Sequence, residues 1–193
     1  MNVYFDTEFT GLHKDTTLIS IGCVDENGRT FYAELADYDE SQVDNWILEN
    51  VISHLKFANT PQSEPVINVY ENCWEVYGDK EQVRDVLRDW LSKYDNVQLI
   101  SDVCHYDMVL FIDLFGNAFD LPSNVNASCH DINQDIAADW DVTEREAFDM
   151  SREKLVAITG ARIDGDKHNA LYDAQVIKEI YEHFAFKITP IAQ

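Results

Sequence analysis

Short runs of β-branched and aromatic residues open the chain. Residues 2–6 (Asn2 to Asp6) and 17–25, where Ile19 and Ile21 stand two apart, predict two strands. Asn27-Gly28 predicts a hairpin turn into a third strand at 29–34, so the first three strands should be antiparallel. The period then changes. Val43, Trp46, Ile47, Val51 and Leu55 recur at helical spacing, predicting an amphipathic helix over 42–55 whose apolar stripe covers core and which closes at the Asn59-Thr60-Pro61 loop. Residues 65–78 mix a strand-like Val66, Ile67 and Val69 with an aperiodic stretch and receive no assignment. Val83, Val86, Leu87, Trp90, Leu91 and Tyr94 predict a helix over 79–94 with Asp79 as its N-cap, followed by a buried strand at 97–103. Helices are predicted at 106–115 (stopped by Gly116-Asn117), 132–140, 151–159 and 170–184.

Strands followed by alternating helix and strand predict an α/β fold, a mixed sheet with helices on its faces. At 193 residues the chain suits one domain over 1–193. An apolar content of 46% argues against disorder, and no apolar run approaches the roughly 20 residues of a membrane span. No membrane partner is expected. The first residues lack the basic and long apolar segments of a signal peptide, which predicts a cytoplasmic location, and four sparse cysteines read as buried thiols. Homodimer formation is left open.

Charge complicates any reading that involves a polyanion. With 36 acidic and 14 basic residues the net charge is −22, a general repulsion toward nucleic acid. Seven basic residues (Arg145, Arg152, Lys154, Arg162, Lys167, Lys178 and Lys187) fall in the last third and predict a local basic rim, while divalent cations bound to clustered carboxylates would present positive charge to a phosphate. Binding would be modest, confined to a short stretch of strand and helped by base stacking.

Three short motifs carry the chemistry. Asp6 and Glu8 stand two apart at a strand end, so both side chains point to one face with Cα atoms about 6.6 Å apart, a shelf for metal. Gly11 follows, where backbone can approach a ligand closely. In the middle, Asp107 after Tyr106 opens a helix, with Asp102 at the strand end as the competing carboxylate. Near the end, His168 precedes a helix whose first turn holds Asp173, because a five-residue offset would otherwise put the two on different helix faces.

Asp6-Thr7-Glu8-Phe9-Thr10-Gly11-Leu12 is similar to the first motif of the DEDDh 3′-5′ exonucleases, which usually have Thr where Phe9 stands. His168 to Asp173 has the spacing of that family's third motif, and Tyr106-Asp107 resembles the second without its common asparagine. Trp46 and its helix, with Phe115-Gly116, look like a compact bacterial exoribonuclease branch. The resemblance implies a ribonuclease H-like fold and two divalent cations, Mg²⁺ or Mn²⁺, held by Asp6, Glu8, Asp107 and Asp173. It implies His168 as the general base and a single-stranded 3′ end, RNA before DNA, as substrate. Thr7, Phe9, Thr10, Gly11, Leu12, Tyr106 and His168 become the substrate contacts, with Phe9 and Leu12 against the last base and the Thr10-Gly11 backbone near the 3′ hydroxyl.

Other constellations rank lower. Cys104-His105 and Cys129-His130 are adjacent pairs, poorly spaced for one zinc ion. Asp131, Asp135 and Asp139 read as a solvated helix stripe. Trp46, Phe9 and Tyr106 can stack on terminal bases, although core packing is the stronger reading of Trp46. A non-catalytic acidic mimic of nucleic acid is the rival from another class.

Overall fold

The computed structural model describes residues 1–57 and 64–185. Strands β1 (Asn2–Phe9), β2 (Leu18–Asp25) and β3 (Thr30–Leu35) form the predicted antiparallel meander. The segment left unassigned by sequence supplies two more strands, β4 (Val66–Val69) and β5 (Cys73–Gly78). Strands β6 (Val97–Ser101) and β7 (Val125–Asp131) complete a seven-stranded mixed sheet ordered β4-β5-β3-β2-β1-β6-β7. β6 runs parallel to β1, so the carboxyl ends of β1 and β6 open side by side. In open α/β sheets, that is where ligands bind.

Helices α1 (Asn45–Asn50), α2 (Lys80–Leu91), α3 (His105–Phe115), α4 (Ile132–Trp140), α5 (Glu144–Phe148), α6 (Arg152–Thr159) and α7 (Ala170–Ala185) flank the sheet. None among the described residues is long and apolar enough to cross a membrane. Asp79 caps α2 as expected, in a capping box with Gln82. The helix predicted over 42–55 is broken instead into a 3-10 turn, α1 and a second 3-10 turn. Asp44 accepts the Ile47 N–H and starts α1 afresh, and Val51 closes it as the C-cap, its N–H donating to the Ile47 carbonyl. Its closing loop, Asn59-Thr60-Pro61, lies outside the described residues. β7 and α5 had no sequence assignment. The acidic stripe is also corrected: Asp131 caps α4 and Asp135 pairs with His130, leaving no simple solvated row.

The two faces of the sheet carry separate cores. Val3, Phe5, Ile21, Phe31 and Leu99 pack under α2 and α3, while Tyr4, Val24 and Ile100 pack under α4 to α7. Because Glu8 pairs with Ser20 and Phe9 with Leu18, Ile19 is an extra residue, a β-bulge. Its side chain joins Ile47, Val51 and Leu55, which seats α1 beside the end of β1.

Opposite Asp6 in the ladder stands Gly22. A Cβ built there would lie 2.3 Å from the Ala170 carbonyl carbon and the Leu171 nitrogen, so the first turn of α7 rests directly on bare β2 backbone. Gly22→Ala must lift α7 from the sheet. Overpacking of this kind costs about 1–3 kcal/mol. Urea denaturation should report that loss, together with a collapse of any activity that depends on Asp173.

Candidate active site

Asp6 and Glu8 project from β1 toward α7, and a cavity of about 780 Å³ opens over them, lined also by Asp107, His168 and Asp173. The tightest group comprises Glu8, His168 and Asp173, one ligating atom from each lying within 4.8 Å of the others. Among the described residues it is the one such cluster of three or more potential ligands, and neither cysteine-histidine pair contributes to it. Asp173 sits in the first turn of α7, and its Oδ2 accepts the His168 N–H at 2.8 Å. His168 adopts φ +65°, the left-handed turn that places its ring ahead of the helix rather than on it.

Asp107 is buried at the start of α3. Its Oδ1 accepts the Thr7 N–H at 3.1 Å and the Thr7 hydroxyl at 2.5 Å, and its Oδ2 accepts the Ser101 hydroxyl at 2.9 Å. Val103, at φ +56°, makes the sharp turn between β6 and α3 that allows this return, a strained conformation for a β-branched residue. The competing carboxylate is engaged elsewhere: Asp102 takes Arg152 Nε at 2.5 Å and Nη2 at 2.8 Å, and Asn133 Nδ2 at 2.9 Å. Arg152 thus pairs with an acid that lines the cavity, a partnership with no local signal in sequence.

The other expected contacts divide by position. Phe9 and Tyr106 stack with ring centroids 5.4 Å apart on one wall, and Leu12 is exposed at the lip. Gly11 lines the cavity, whereas Thr10 is buried in the turn, its Oγ1 accepting the Thr17 N–H at 2.8 Å. Trp46 is not core: it is 54% exposed and its ring meets that of His168 edge-on at 5.1 Å. The basic rim is thin. Arg145, Arg152, Arg162, Lys167 and Lys178 each face a carboxylate, Lys154 is exposed and does not line the cavity, and Lys187 lies outside the described residues. Among the described residues, Arg152 and Lys167 are the only Lys or Arg lining the cavity.

Burial and mutual repulsion raise the acids together. Asp6 is held well above the usual carboxylate range by burial and by Asp107, Asp173 and Glu8. Burial, with Asp173 and Asp107, pushes Glu8 to about 8. Burial lifts Asp173 to about 7 against the His168 N–H, and Asp107 to about 6 against the Thr7 and Ser101 hydrogen bonds. His168 moves the other way, lowered by partial burial and then by Lys167 and His54, so it is a neutral base near pH 7. Hard carboxylate oxygens crowded at this cost are a fitting donor set for Mg²⁺ or Mn²⁺.

A family profile described as the 3′-5′ exoribonuclease Rv2179c-like domain matches residues 1–184. The chain belongs to this family. A relative within reach of it is the 3′-5′ exoribonuclease Rv2179c of Mycobacterium tuberculosis, 28% identical over 136 residues that cover 69% of this chain and 73% of the relative. The fold is shared with the nuclease domain of 3′hExo, a DEDDh family member solved with rAMP, at TM-score 0.64 and 13% identity over 97% of this chain and 92% of that one. A 3′-exonuclease solved in recognition of a histone mRNA stem-loop gives TM-score 0.63 and 14% identity over 94% of this chain, which spans 62% of that protein. The exoribonuclease family and the ribonuclease H-like sheet expected from the motifs are therefore both present.

For each raised carboxyl the folded-state pKa exceeds the unfolded value of about 4. The folded chain holds the extra protons, so their stabilising contribution is complete below that value and is lost as pH rises through 6, 7 and 8. Thermal melts in EDTA should show stability falling between about pH 5 and 8.5. Adding Mg²⁺ or Mn²⁺ at the alkaline end should restore it.

Proposed function

We propose that the chain is a metal-dependent 3′-5′ exoribonuclease that releases nucleoside 5′-monophosphates from a single-stranded end. The convergence of Glu8, His168 and Asp173 within 4.8 Å, in the cavity that Asp6 and Asp107 also line, carries this reading. Asp6, Glu8, Asp107 and Asp173 would hold two divalent cations. Asp107 would contribute through Oδ2, which among the described residues accepts only the Ser101 hydroxyl. When bound, such cations acidify water and offset the charge on the scissile phosphate.

The protein's own groups do the rest. His168, neutral and within reach of Glu8 and Asp173, accepts the proton of the attacking water at a ring nitrogen. Phe9, Tyr106 and Trp46 offer ring surfaces to the terminal bases, while Leu12 stands at the lip and selects a free end. The Thr10-Gly11 backbone borders the 3′ hydroxyl, and Thr7 orients Asp107. A cytoplasmic site of action suits this chemistry.

His168→Ala should lower kcat by about 10²–10⁴-fold while leaving substrate affinity nearly unchanged. Single-turnover release from a 3′-labelled oligoribonucleotide in Mn²⁺, with EDTA as the control, measures it. Wild-type kcat in that variant removes His168 as base, and no metal-dependent release from the wild type favours a non-catalytic acidic protein. Equal-length DNA decides the sugar, RNA being expected to turn over faster.

With Arg152 and Lys167 the only Lys or Arg lining the cavity among the described residues, few counterions should be displaced on binding. For single strands, affinity should fall with salt at a log–log slope no steeper than about −1.4. A fluorescence anisotropy titration with a catalytically inactive variant across salt concentrations reads that slope.

A further inference from the structure

Tyr32 and Glu34 lie on β3, in the ladder rows of Asp6 and Glu8, but neither lines the cavity. Glu34 is 1% exposed, and a carboxylate so placed is costly unless its oxygens are bonded. It accepts the Tyr32 hydroxyl at 2.8 Å and the N–H groups of Lys56 and Phe57. With its proton committed to Glu34, the Tyr32 oxygen is left as an acceptor, and Asn169 Nδ2 donates to it at 3.5 Å. The same amide donates to the His54 carbonyl at 3.2 Å.

Asn169 stands between His168 and α7. Its Oδ1 accepts the N–H groups of Leu171 and Tyr172 at 3.2 Å, and its carbonyl accepts that of Asp173 at 3.0 Å. One half of the side chain caps the helix. The other half ties the cap to β3 and to the 3-10 turn that continues from α1, the helix whose Trp46 ring meets His168. Capping needs only Oδ1.

We infer that Tyr32, acting through Asn169, is a positioning residue for the hydrolysis: its hydroxyl, aimed by Glu34, fixes the turn that carries His168 relative to the β1 carboxylates. The tether joins residues 137 apart in sequence. Movement of about 1 Å at a reacting group can cost 10²-fold in rate, so a polar contact outside the cavity is worth holding. This inference rests on the exonuclease reading above.

Asn169→Ser keeps a capping oxygen and removes both amide donors, while Tyr32→Phe keeps the ring and removes the hydroxyl. Each is expected to lower kcat about 10–100-fold at saturating Mn²⁺, with KM within about twofold and little change in Tm. The double variant should be no slower than the slower single one, the signature of a shared contact. Rate losses that multiply, a loss carried by KM, or wild-type kcat in Asn169→Ser would overturn the tether. Should Tyr32→Phe fail to fold, the Asn169→Ser kcat alone decides. Wild type assayed alongside separates the two readings: if it releases no mononucleotide with Mn²⁺, the exonuclease assignment fails, and if it does, the variants judge the tether alone.

Discussion

Four carboxylates that repel one another are held at the end of one strand, and most of the surrounding structure serves to keep them there. Asp6 and Glu8 share a face because strand geometry demands it. Asp173 joins them only because α7 can lie flat on Gly22, where any side chain would collide with the helix backbone. The apolar contacts of Ala174, Ile177 and Ile180 with Tyr4, Val24 and Ile100 hold that helix down. Burial of apolar surface at about 25 cal/mol per Å² opposes a repulsion that the metal-free chain relieves by taking up protons.

Polar groups around the cavity are largely committed to holding one another. Thr7 and Ser101 hold Asp107, Arg152 and Asn133 hold Asp102, and Thr10 closes its own turn. Few cations remain for a phosphate backbone, and the chain carries a net charge of −22. On the proposed function, recognition would therefore fall to rings and to the clustered acids with their cations. The stacked Phe9 and Tyr106, with Trp46 across the cavity, give faces that any base can meet.

Long helices were legible because each buries one stripe: of the periodic positions of α2, Val83, Leu87, Trp90 and Leu91 are buried and Val86 partly so. Edges were not. β4 and β7 end the sheet on either side, and the Asn126 to Ser128 segment of β7 is exposed and polar, so alternation has nothing to act on. The single amphipathic helix expected over 42–55 is broken for a local reason, since Asp44 sits inside the apolar repeat and caps a new helix start. α5 could have been found from Thr143 and Glu146, a capping box three residues long in spacing.

By itself the sequence determined the two outer motifs, the strand pair that presents Asp6 and Glu8, and the placement of His168 just before the helix bearing Asp173. Those follow from covalent spacing and backbone period, which act within a few residues. Only the tertiary structure shows Asp102 paired with Arg152 while Asp107 is bonded to Thr7 and Ser101, exposes Trp46 beside His168, and places Gly22, Tyr32 and Asn169 around the site. Each of those depends on which surfaces meet when helices settle on the sheet, and such long-range pairing leaves no trace in the order of neighbouring residues.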